Sequence, residues 1–304
     1  MMPVPEQNPL ARRLKKHITS REHEYFAVTA PHLDKLCQKE LSLILPQNET
    51  FVQRGGVTFF GRPENMYLAN LHLRSATRIL MRIGYFKAVN FTEFANKMAR
   101  LNFDLYLNAE TLPEVVVKTH HCRLYHTGAI VEAATEFFAR LFPNAQAAPE
   151  APQIYVRGAD DNFTISLDTS GDMLYKRGLK NQGGAAPLRE TLAYAVLHKA
   201  GYKGGPLLDP MCGSGTFSLE AALTAGNIAP GLAREFAFAK APFFNAKQWE
   251  YFKKQALLAQ KPDPAKPLIV ASDKDPKVIK SLKLLTAEQG LEAFIKIINK
   301  DFFA

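Results

Sequence analysis

The sequence lacks the marks of membrane and secreted proteins. None of its apolar runs approaches the roughly 20 residues that a membrane-spanning helix needs. The basic residues near the start, Arg12 to Lys16, are followed by polar rather than apolar sequence, so we expect no signal peptide. The three cysteines are odd in number and far apart, which argues against a disulfide framework. These absences predict a protein of the reducing cytoplasm.

Positive charge is what the sequence has in excess. Its 304 residues include 38 Lys and Arg against 29 Asp and Glu, which gives a net charge of +9 and a pI near 9.3. A basic surface attracts polyanions because binding releases their condensed counterions, so nucleic acid is a natural partner. The length allows two domains or slightly more, each with its own core.

The order of apolar and polar segments predicts that the two halves of the chain have different architectures. Residues 1–20 are polar and basic with three prolines, and we expect them to form a mobile arm. Residues 25–86 read as strand, helix, two strands, helix and strand, which indicates a small α+β domain. Residues 91–168 add helix, strand, helix and two strands. Beyond a boundary near residue 170, long helices alternate with buried strands, as in a doubly wound parallel α/β sheet.

The strongest chemical signal is the run Leu207-Leu208-Asp209-Pro210-Met211-Cys212-Gly213-Ser214-Gly215-Thr216. A buried strand ends in Asp209, the chain turns through two glycines, and a helix begins. Open α/β sheets bind ligands at such strand ends, where the helix presents unpaired N–H groups. Position 218 is serine rather than the third glycine of the dinucleotide fingerprint, and the P-loop sequence is absent. An acid before the glycines suits a ligand that carries an amino group and a sulfonium.

Acids also end the next two predicted strands. Asp273 follows the second strand, where it is placed to accept hydrogen bonds from ribose hydroxyls. Asp301 and the aromatic Phe302 follow the third strand and suit the edge and face of an adenine. One such acid alone is ordinarily a helix cap or a loop residue. Acids at three successive strand ends predict a ligand site.

With these motifs, the chain resembles the THUMP-domain class I methyltransferases that modify guanine N2 in RNA. It is most similar to the bacterial 23S rRNA guanine-N2 methyltransferases, with the related tRNA enzymes next. The resemblance covers nearly everything from residue 24 onward. The stretches that carry it are residues 25–30, 55–61 and 70–78 in the front part, 165–171, 175–178 and 186–193 in the linking part, and 209–216.

The resemblance implies three domains after the arm. Residues 21–65 would be a ferredoxin-like domain, and residues 66–170 a THUMP domain that grips RNA. Residues 171–304 would be the first half of a Rossmann-like methyltransferase domain. The implied partner is structured RNA, with rRNA favoured over tRNA; neither a membrane nor a metal is implied. The oligomeric state stays open.

The resemblance also implies S-adenosylmethionine as the cofactor and assigns residues to it. The glycine turn would hold it, Asp273 the ribose, and Asp301 with Phe302 the adenine. Lys274 stands where relatives have an apolar residue against the adenine, and its aliphatic stem would do part of that work. Residues 177–189 would pack over the methionine end. The assigned residues are Asp209, Pro210, Gly213, Gly215, Thr216, Asp273, Lys274, Asp301, Phe302, Pro187 and Leu188.

One expected motif is absent. Amino-directed methyltransferases carry Asn/Asp-Pro-Pro-Tyr/Phe after the fourth strand, where it holds the target amine and stacks on the extruded base. The sequence contains no Pro-Pro pair, so no catalytic residue is assigned. We interpret the chain as a truncated or interrupted member of the family. The hypothesis is that it binds the cofactor weakly and transfers no methyl group by itself.

Other interpretations remain open. The chain is alternatively a tRNA guanine-N2 methyltransferase, a non-catalytic RNA-binding protein with a vestigial methyltransferase domain, or a DNA adenine-N6 methyltransferase. His120, His121, Cys122 and His126 lack the spacing of a zinc site, which favours a structural role for them. Three arginines at helical spacing, Arg74, Arg78 and Arg82, are candidates for a row that faces RNA, although Arg82 falls in a predicted strand.

Overall fold

A computed structural model of the protein describes residues 9–178 and 188–303. Its front part begins with a short helix and a π-helical turn, then follows the order strand, helix, two strands, helix, strand of a ferredoxin-like unit. The elements are α1 (Pro9–Leu14), the turn Lys15–Thr19, β1 (His23–Thr29), α2 (Asp34–Ile44), β2 (Thr50–Gln53), β3 (Gly56–Gly61), α3 (Pro63–His72) and β4 (Ala76–Lys87).

The next elements extend the same sheet. They are α4 (Phe91–Met98), a 3-10 turn (Phe103–Leu105), β5 (Glu114–His120), α5 (Thr127–Leu141), β6 (Gln153–Ala159) and β7 (Asn162–Asp168). The strand order is β2-β3-β1-β4-β7-β6-β5, and β4 pairs antiparallel with β1 on one side and β7 on the other. The units predicted as separate α+β domains therefore share one seven-stranded sheet. We call residues 23–168 the front end.

The second half holds a parallel sheet. Its elements are α6 (Glu190–Lys199), β8 (Leu207–Asp209), α7 (Thr216–Ala225), a 3-10 turn (Ala237–Lys240), α8 (Ala246–Leu258), β9 (Ile269–Asp273), α9 (Pro276–Glu288) and β10 (Ile295–Asn299). The order is β10-β9-β8, with both strand pairs parallel. This arrangement confirms the predicted Rossmann-like α/β sheet and brings the carboxyl ends of the strands to one edge.

Local sequence explains where several helices start. The side chain of Asn90 accepts a hydrogen bond from the backbone N–H of Glu93 at the start of α4, and Asn245 caps α8 in the same way. Asp275 accepts the N–H of Lys277 at 2.8 Å, and Pro276 occupies the first turn of α9. Each cap satisfies an N–H that the helix leaves unpaired.

The connection between α7 and β9 packs on the front end. Phe236, Phe238 and Trp249 of this connection are buried in the same core as the front-end sheet. The ring of Tyr67 in α3 lies 4.8 Å from that of Phe238 and 6.1 Å from that of Trp249. The second half of the chain therefore supplies part of the hydrophobic core of the front end.

Two expectations about basic residues differ from the structure. Residues 9–19, which we expected within a mobile arm, are helical, with Ile18 fully buried and Arg13 paired with Asp104. The proposed RNA-facing row is wrong, because the side chains of its three arginines are about 10% exposed and ion-paired inside the protein. A helix long and apolar enough to cross a membrane does not occur among the described residues.

Candidate cofactor site

The two glycines of the turn after β8 differ in their surroundings. Both have left-handed backbone, with φ of +49° at Gly213 and +76° at Gly215. A Cβ at Gly215 would lie 2.4 Å from Cδ1 of Leu282 in α9, whereas one at Gly213 would meet no atom of the described residues within 4 Å. Gly215 is therefore required for packing at the start of α7. Gly213 leaves backbone next to open space, as a bound ligand requires.

Asp209 is held by the helix that follows the turn. Its Oδ2 accepts a hydrogen bond from Ser218 Oγ at 2.7 Å. Partial burial raises the pKa of Asp209, and the nearby carboxylate of Asp273 raises it further, while the bonds from Ser218 act in the opposite direction. Ser218 was noted in the sequence only as a departure from the dinucleotide pattern. In the structure it fixes the first acid of the site.

Asp273 joins the end of β9 to the glycine turn. Its Oδ2 accepts the backbone N–H of Gly213 at 2.9 Å, and its Oδ1 accepts that of Asp275 at 3.0 Å. The backbone N–H of Cys212 donates to the Ser272 carbonyl at 2.9 Å. These bonds bring the ends of β8 and β9 together as predicted.

Hydrogen bonds also connect the end of β10 to the end of β9. The side-chain amide of Asn299 donates to the carbonyl oxygens of Asp273 at 2.8 Å and Lys274 at 3.1 Å. The backbone N–H of Lys300 also donates to Asp273, at 3.1 Å. The residues that follow, Asp301 and Phe302, therefore lie beside the second strand end, and the Phe302 ring is 53% exposed.

The remaining predicted residues divide into three groups. Pro210 accepts a hydrogen bond from Ser272 Oγ at 3.1 Å, and Thr216 is buried at the start of α7, so both belong to the turn. Leu188 is 37% exposed. Pro187 lies outside the described residues.

The cysteine of the turn is a packing residue. Cys212 is 8% exposed, and burial raises the pKa of its thiol to about 12, so it stays protonated at neutral pH. Free cysteine is commonly a small buried residue of this kind. Among residues 9–178 and 188–303, no group of three or more His, Cys, Asp and Glu side chains is arranged to hold a metal.

The three acids of the site lack a basic partner in the part of the chain that the structure describes. Within the described residues, no salt bridge involves Asp209, Asp273 or Asp301. Each accepts at most a few neutral hydrogen bonds from the protein. Carboxylates in this state fit a ligand that offers an amino group and hydroxyls, and the open backbone at Gly213 leaves room for it.

The fold and this site define a class I methyltransferase. A parallel sheet in the order β10-β9-β8, with a glycine turn after its first strand and acids at successive strand ends, is the cofactor-binding half of that class. The family model described as "RMKL-like, methyltransferase domain" matches residues 177–304, and "RlmL ferredoxin-like domain" matches residues 24–80. The chain belongs to the RMKL-like methyltransferase family.

Curated relatives agree with this family. A ribosomal RNA large subunit methyltransferase K/L of Allochromatium vinosum is 35% identical in a match that covers 70% of this chain and 31% of the relative. A Synechocystis protein provisionally named an RNA methyltransferase is 32% identical in a match that covers 85% of this chain and 69% of the relative. The chain spans about a third of the length of the ribosomal RNA relatives.

Solved structures show the same architecture. A Listeria monocytogenes protein, provisionally named an N6-adenine-specific DNA methylase, superposes with a TM-score of 0.84 at 28% identity, over 93% of this chain and 76% of that one. A second protein, provisionally named a methyltransferase and solved with S-adenosylhomocysteine, has a TM-score of 0.82 at 26% identity. It covers 92% of this chain and 76% of its own.

Proposed function

We propose that this chain is the cofactor-binding and RNA-binding part of an RNA methyltransferase whose target is guanine N2 of 23S rRNA. Its cofactor is S-adenosylmethionine, as its family and its likeness to a complex with S-adenosylhomocysteine indicate. The observation that carries the proposal is the hydrogen bond from the Gly213 N–H to Asp273, which locks the turn of one strand to the acid of the next. Asp209 stands beside them without a basic partner among the described residues.

Each residue of the site has a proposed contact. Asp209 would accept from the amino group of the cofactor, and Asp273 from the ribose hydroxyls. Asp301 and Phe302 would contact the edge and face of the adenine, with the stem of Lys274 beside them. When bound, the cofactor supplies a methyl group already activated on a sulfonium. The contribution of the chain is then to bind and orient, and positioning of this kind lowers a barrier without a strong base.

The substrate assignment rests on the front end and on the relatives. Relatives named ribosomal RNA large subunit methyltransferases match 70% to 90% of the chain, and their matches therefore extend over both halves. We infer that the front end includes a THUMP-type RNA-binding unit, supported by the net charge of +9. A cytoplasmic location agrees with the substrate and with three cysteines that are all free and buried.

We further propose that these 304 residues alone transfer no methyl group, because the sequence contains no Asn/Asp-Pro-Pro-Tyr/Phe motif. Methylation assays with the purified chain, a matching rRNA fragment and labelled cofactor should give no product above background. Product at a rate near that of a full-length relative would contradict this part of the proposal.

Cofactor binding is tested by calorimetric titration of S-adenosylhomocysteine into the wild-type chain and Asp209→Ala. We expect binding by the wild type and a loss of about 10- to 100-fold in the variant, since a charged hydrogen bond contributes about 1.5–3 kcal/mol. Asp172→Ala is the matched control. It removes an exposed aspartate that precedes Asp209 by 37 positions. A wild-type chain that is folded by circular dichroism and binds nothing would instead support a non-catalytic RNA-binding protein.

A DNA adenine-N6 methyltransferase is the second candidate, favoured by the name of the Listeria neighbour. Competition binding separates the two. A labelled fragment of 23S rRNA is bound to the chain and then challenged with unlabelled rRNA, tRNA or duplex DNA at one salt concentration. Displacement by rRNA at the lowest concentration supports the proposal. Displacement first by duplex DNA would favour the second candidate, and displacement first by tRNA the tRNA enzymes.

A further inference from the structure

Arg74 connects the front end to the helix that forms the cofactor turn. It lies between α3 and β4, and its side chain is 12% exposed. Its NH2 group donates to the carbonyl oxygens of Leu223 at 3.2 Å and Ile228 at 2.6 Å. Leu223 is in the last turn of α7, and Ile228 follows that helix. The guanidinium therefore sits at the negative end of the helix, where a cation is stabilising.

The opposite end of the same helix forms the site. α7 starts at Thr216, directly after Gly215, and Ser218 in its first turn donates a hydrogen bond to the carboxylate of Asp209. The helix has ten residues, and eight of them are buried, so it packs as a rigid rod. A rod fixed at its C-terminal end keeps the position of its N-terminal turn. A displacement of the helix at Arg74 would therefore also displace Ser218 and the glycine turn.

A buried ion network supports Arg74. Glu220 in the middle of α7 is 1% exposed and lies 3.7 Å from Arg74 NH1 and 3.0 Å from Arg177 Nε. The NH2 group of Arg177 donates to the Arg74 carbonyl at 2.7 Å. Two arginines from outside the helix thus converge on one buried acid within it.

The backbone of Arg74 is fixed from the front end. Glu40 of α2 is buried, and its carboxylate accepts the N–H of Arg74 at 3.1 Å and that of Ser75 at 3.0 Å. The guanidinium also lies over the ring of Tyr194 in α6, 5.6 Å from its centroid. Arg74 is therefore held by the front end while it grips α7.

We propose that Arg74 is a positioning residue for the cofactor site, through which the front end sets the affinity of the methyltransferase half for its cofactor. The inference rests on the proposed function and adds to it. The ligand is recognised by the strand-end acids and the glycine turn, and Arg74 acts at the far end of α7. Loss of its hydrogen bonds to Leu223 and Ile228 lets α7 shift. The shift misaligns Ser218 and the glycine turn relative to Asp209 and Asp273.

The test compares two buried arginines. Arg74→Met removes the grip, while Arg82→Met removes a side chain of similar exposure whose ion pair with Glu24 and hydrogen bond to Ser166 stay within the front end. S-adenosylhomocysteine is titrated into each variant, at a temperature where circular dichroism shows it folded. We expect Arg74→Met to bind about 10-fold more weakly, in the usual range of coupling between sites, and Arg82→Met to bind as the wild type does. Arg74→Lys, which keeps the charge but loses the planar fork, should fall between them.

Hydrogen exchange without any ligand gives a second readout. The backbone amides of residues 212–219 should exchange faster in Arg74→Met than in Arg82→Met. If Arg74→Met does not fold, the same comparison is made with Arg74→Lys. Unchanged affinity and unchanged exchange in the Arg74 variants would overturn the inference, as would equal losses in Arg82→Met. A wild-type chain that binds no S-adenosylhomocysteine would count against the proposed function, and the exchange comparison would still decide the role of Arg74.

Discussion

The front end differs from the cofactor site of the methyltransferase half in how it holds its acids. In the front end, Asp168 is buried and forms a salt bridge with Arg78, and Glu40 is buried under hydrogen bonds from Arg74 and Ser75. In the other half, Asp209 and Asp273 sit half-buried at strand ends, without a salt bridge among the described residues. The first arrangement compensates charge within the protein. The second leaves charge available to a ligand.

This contrast shows how to distinguish structural from functional acids. A buried charge is costly, so a protein that needs one only for structure supplies a partner for it. An acid that is left without a partner at the edge of a sheet is a candidate for ligand binding. The predictions below test whether the two kinds of acid respond to substitution as this distinction requires.

The largest expected effect is on stability in the front end. Asp168→Ala leaves the guanidinium of Arg78 buried without its partner, and we expect a loss of about 3–5 kcal/mol in the free energy of unfolding. Asp172→Ala breaks only the exposed pair with Lys176, so its loss should stay below about 1 kcal/mol. Urea unfolding followed by circular dichroism measures both. Equal losses in the two variants would remove the distinction between buried and exposed pairs.

The glycines of the turn should separate packing from ligand binding. Gly215→Ala places a methyl group against Leu282 with φ at +76°, and we expect it to destabilise the protein by about 2–3 kcal/mol. Gly213→Ala meets open space, so its cost should be the backbone strain of about 1–2 kcal/mol. The added methyl group would occupy ligand space. In Gly213→Ala the loss in the free energy of S-adenosylhomocysteine binding should therefore exceed the loss in the free energy of unfolding. A larger stability loss at Gly213 than at Gly215 would contradict this assignment.

The smallest effect is a dependence of stability on pH at Asp209. Because the folded protein raises the pKa of this acid, the unfolded chain ionises it first as the pH increases. Its contribution to stability is therefore complete below the ordinary pKa of aspartate and is lost as the pH rises through the folded pKa. Asp209→Asn should match the wild type in thermal unfolding at pH 3 and be slightly more stable at pH 7. A variant less stable than the wild type at pH 7 would show that the charged acid stabilises the fold.

Most elements of the fold could be predicted from local sequence. The predicted order of strands and helices agrees with the structure, for example in the two short strands β2 and β3 and in α7 after the glycine turn. The three strand-end acids were also found, because the parallel sheet that unites them follows from alternating strands and helices. Periodicity and motif spacing are properties of short stretches, and these features depend on little else.

Features that depend on distant contacts were not predicted. The pairing of β4 with β7 joins residues 75 to 88 positions apart in sequence, and no local pattern encodes it. Ser218 became informative only when its hydroxyl was seen on Asp209. Arg74 was taken for an RNA contact because its spacing fitted a helix face, whereas the structure places it in a buried network with Glu220.

The central claim is that the cofactor lies across the three strand-end acids. A crystal structure of the wild-type chain with S-adenosylhomocysteine tests it most directly. The account predicts ligand density along the glycine turn, with the amino group at Asp209, the ribose hydroxyls at Asp273 and the adenine beside Asp301 and Phe302. Density elsewhere in the protein, or an empty turn at a saturating ligand concentration, would contradict it.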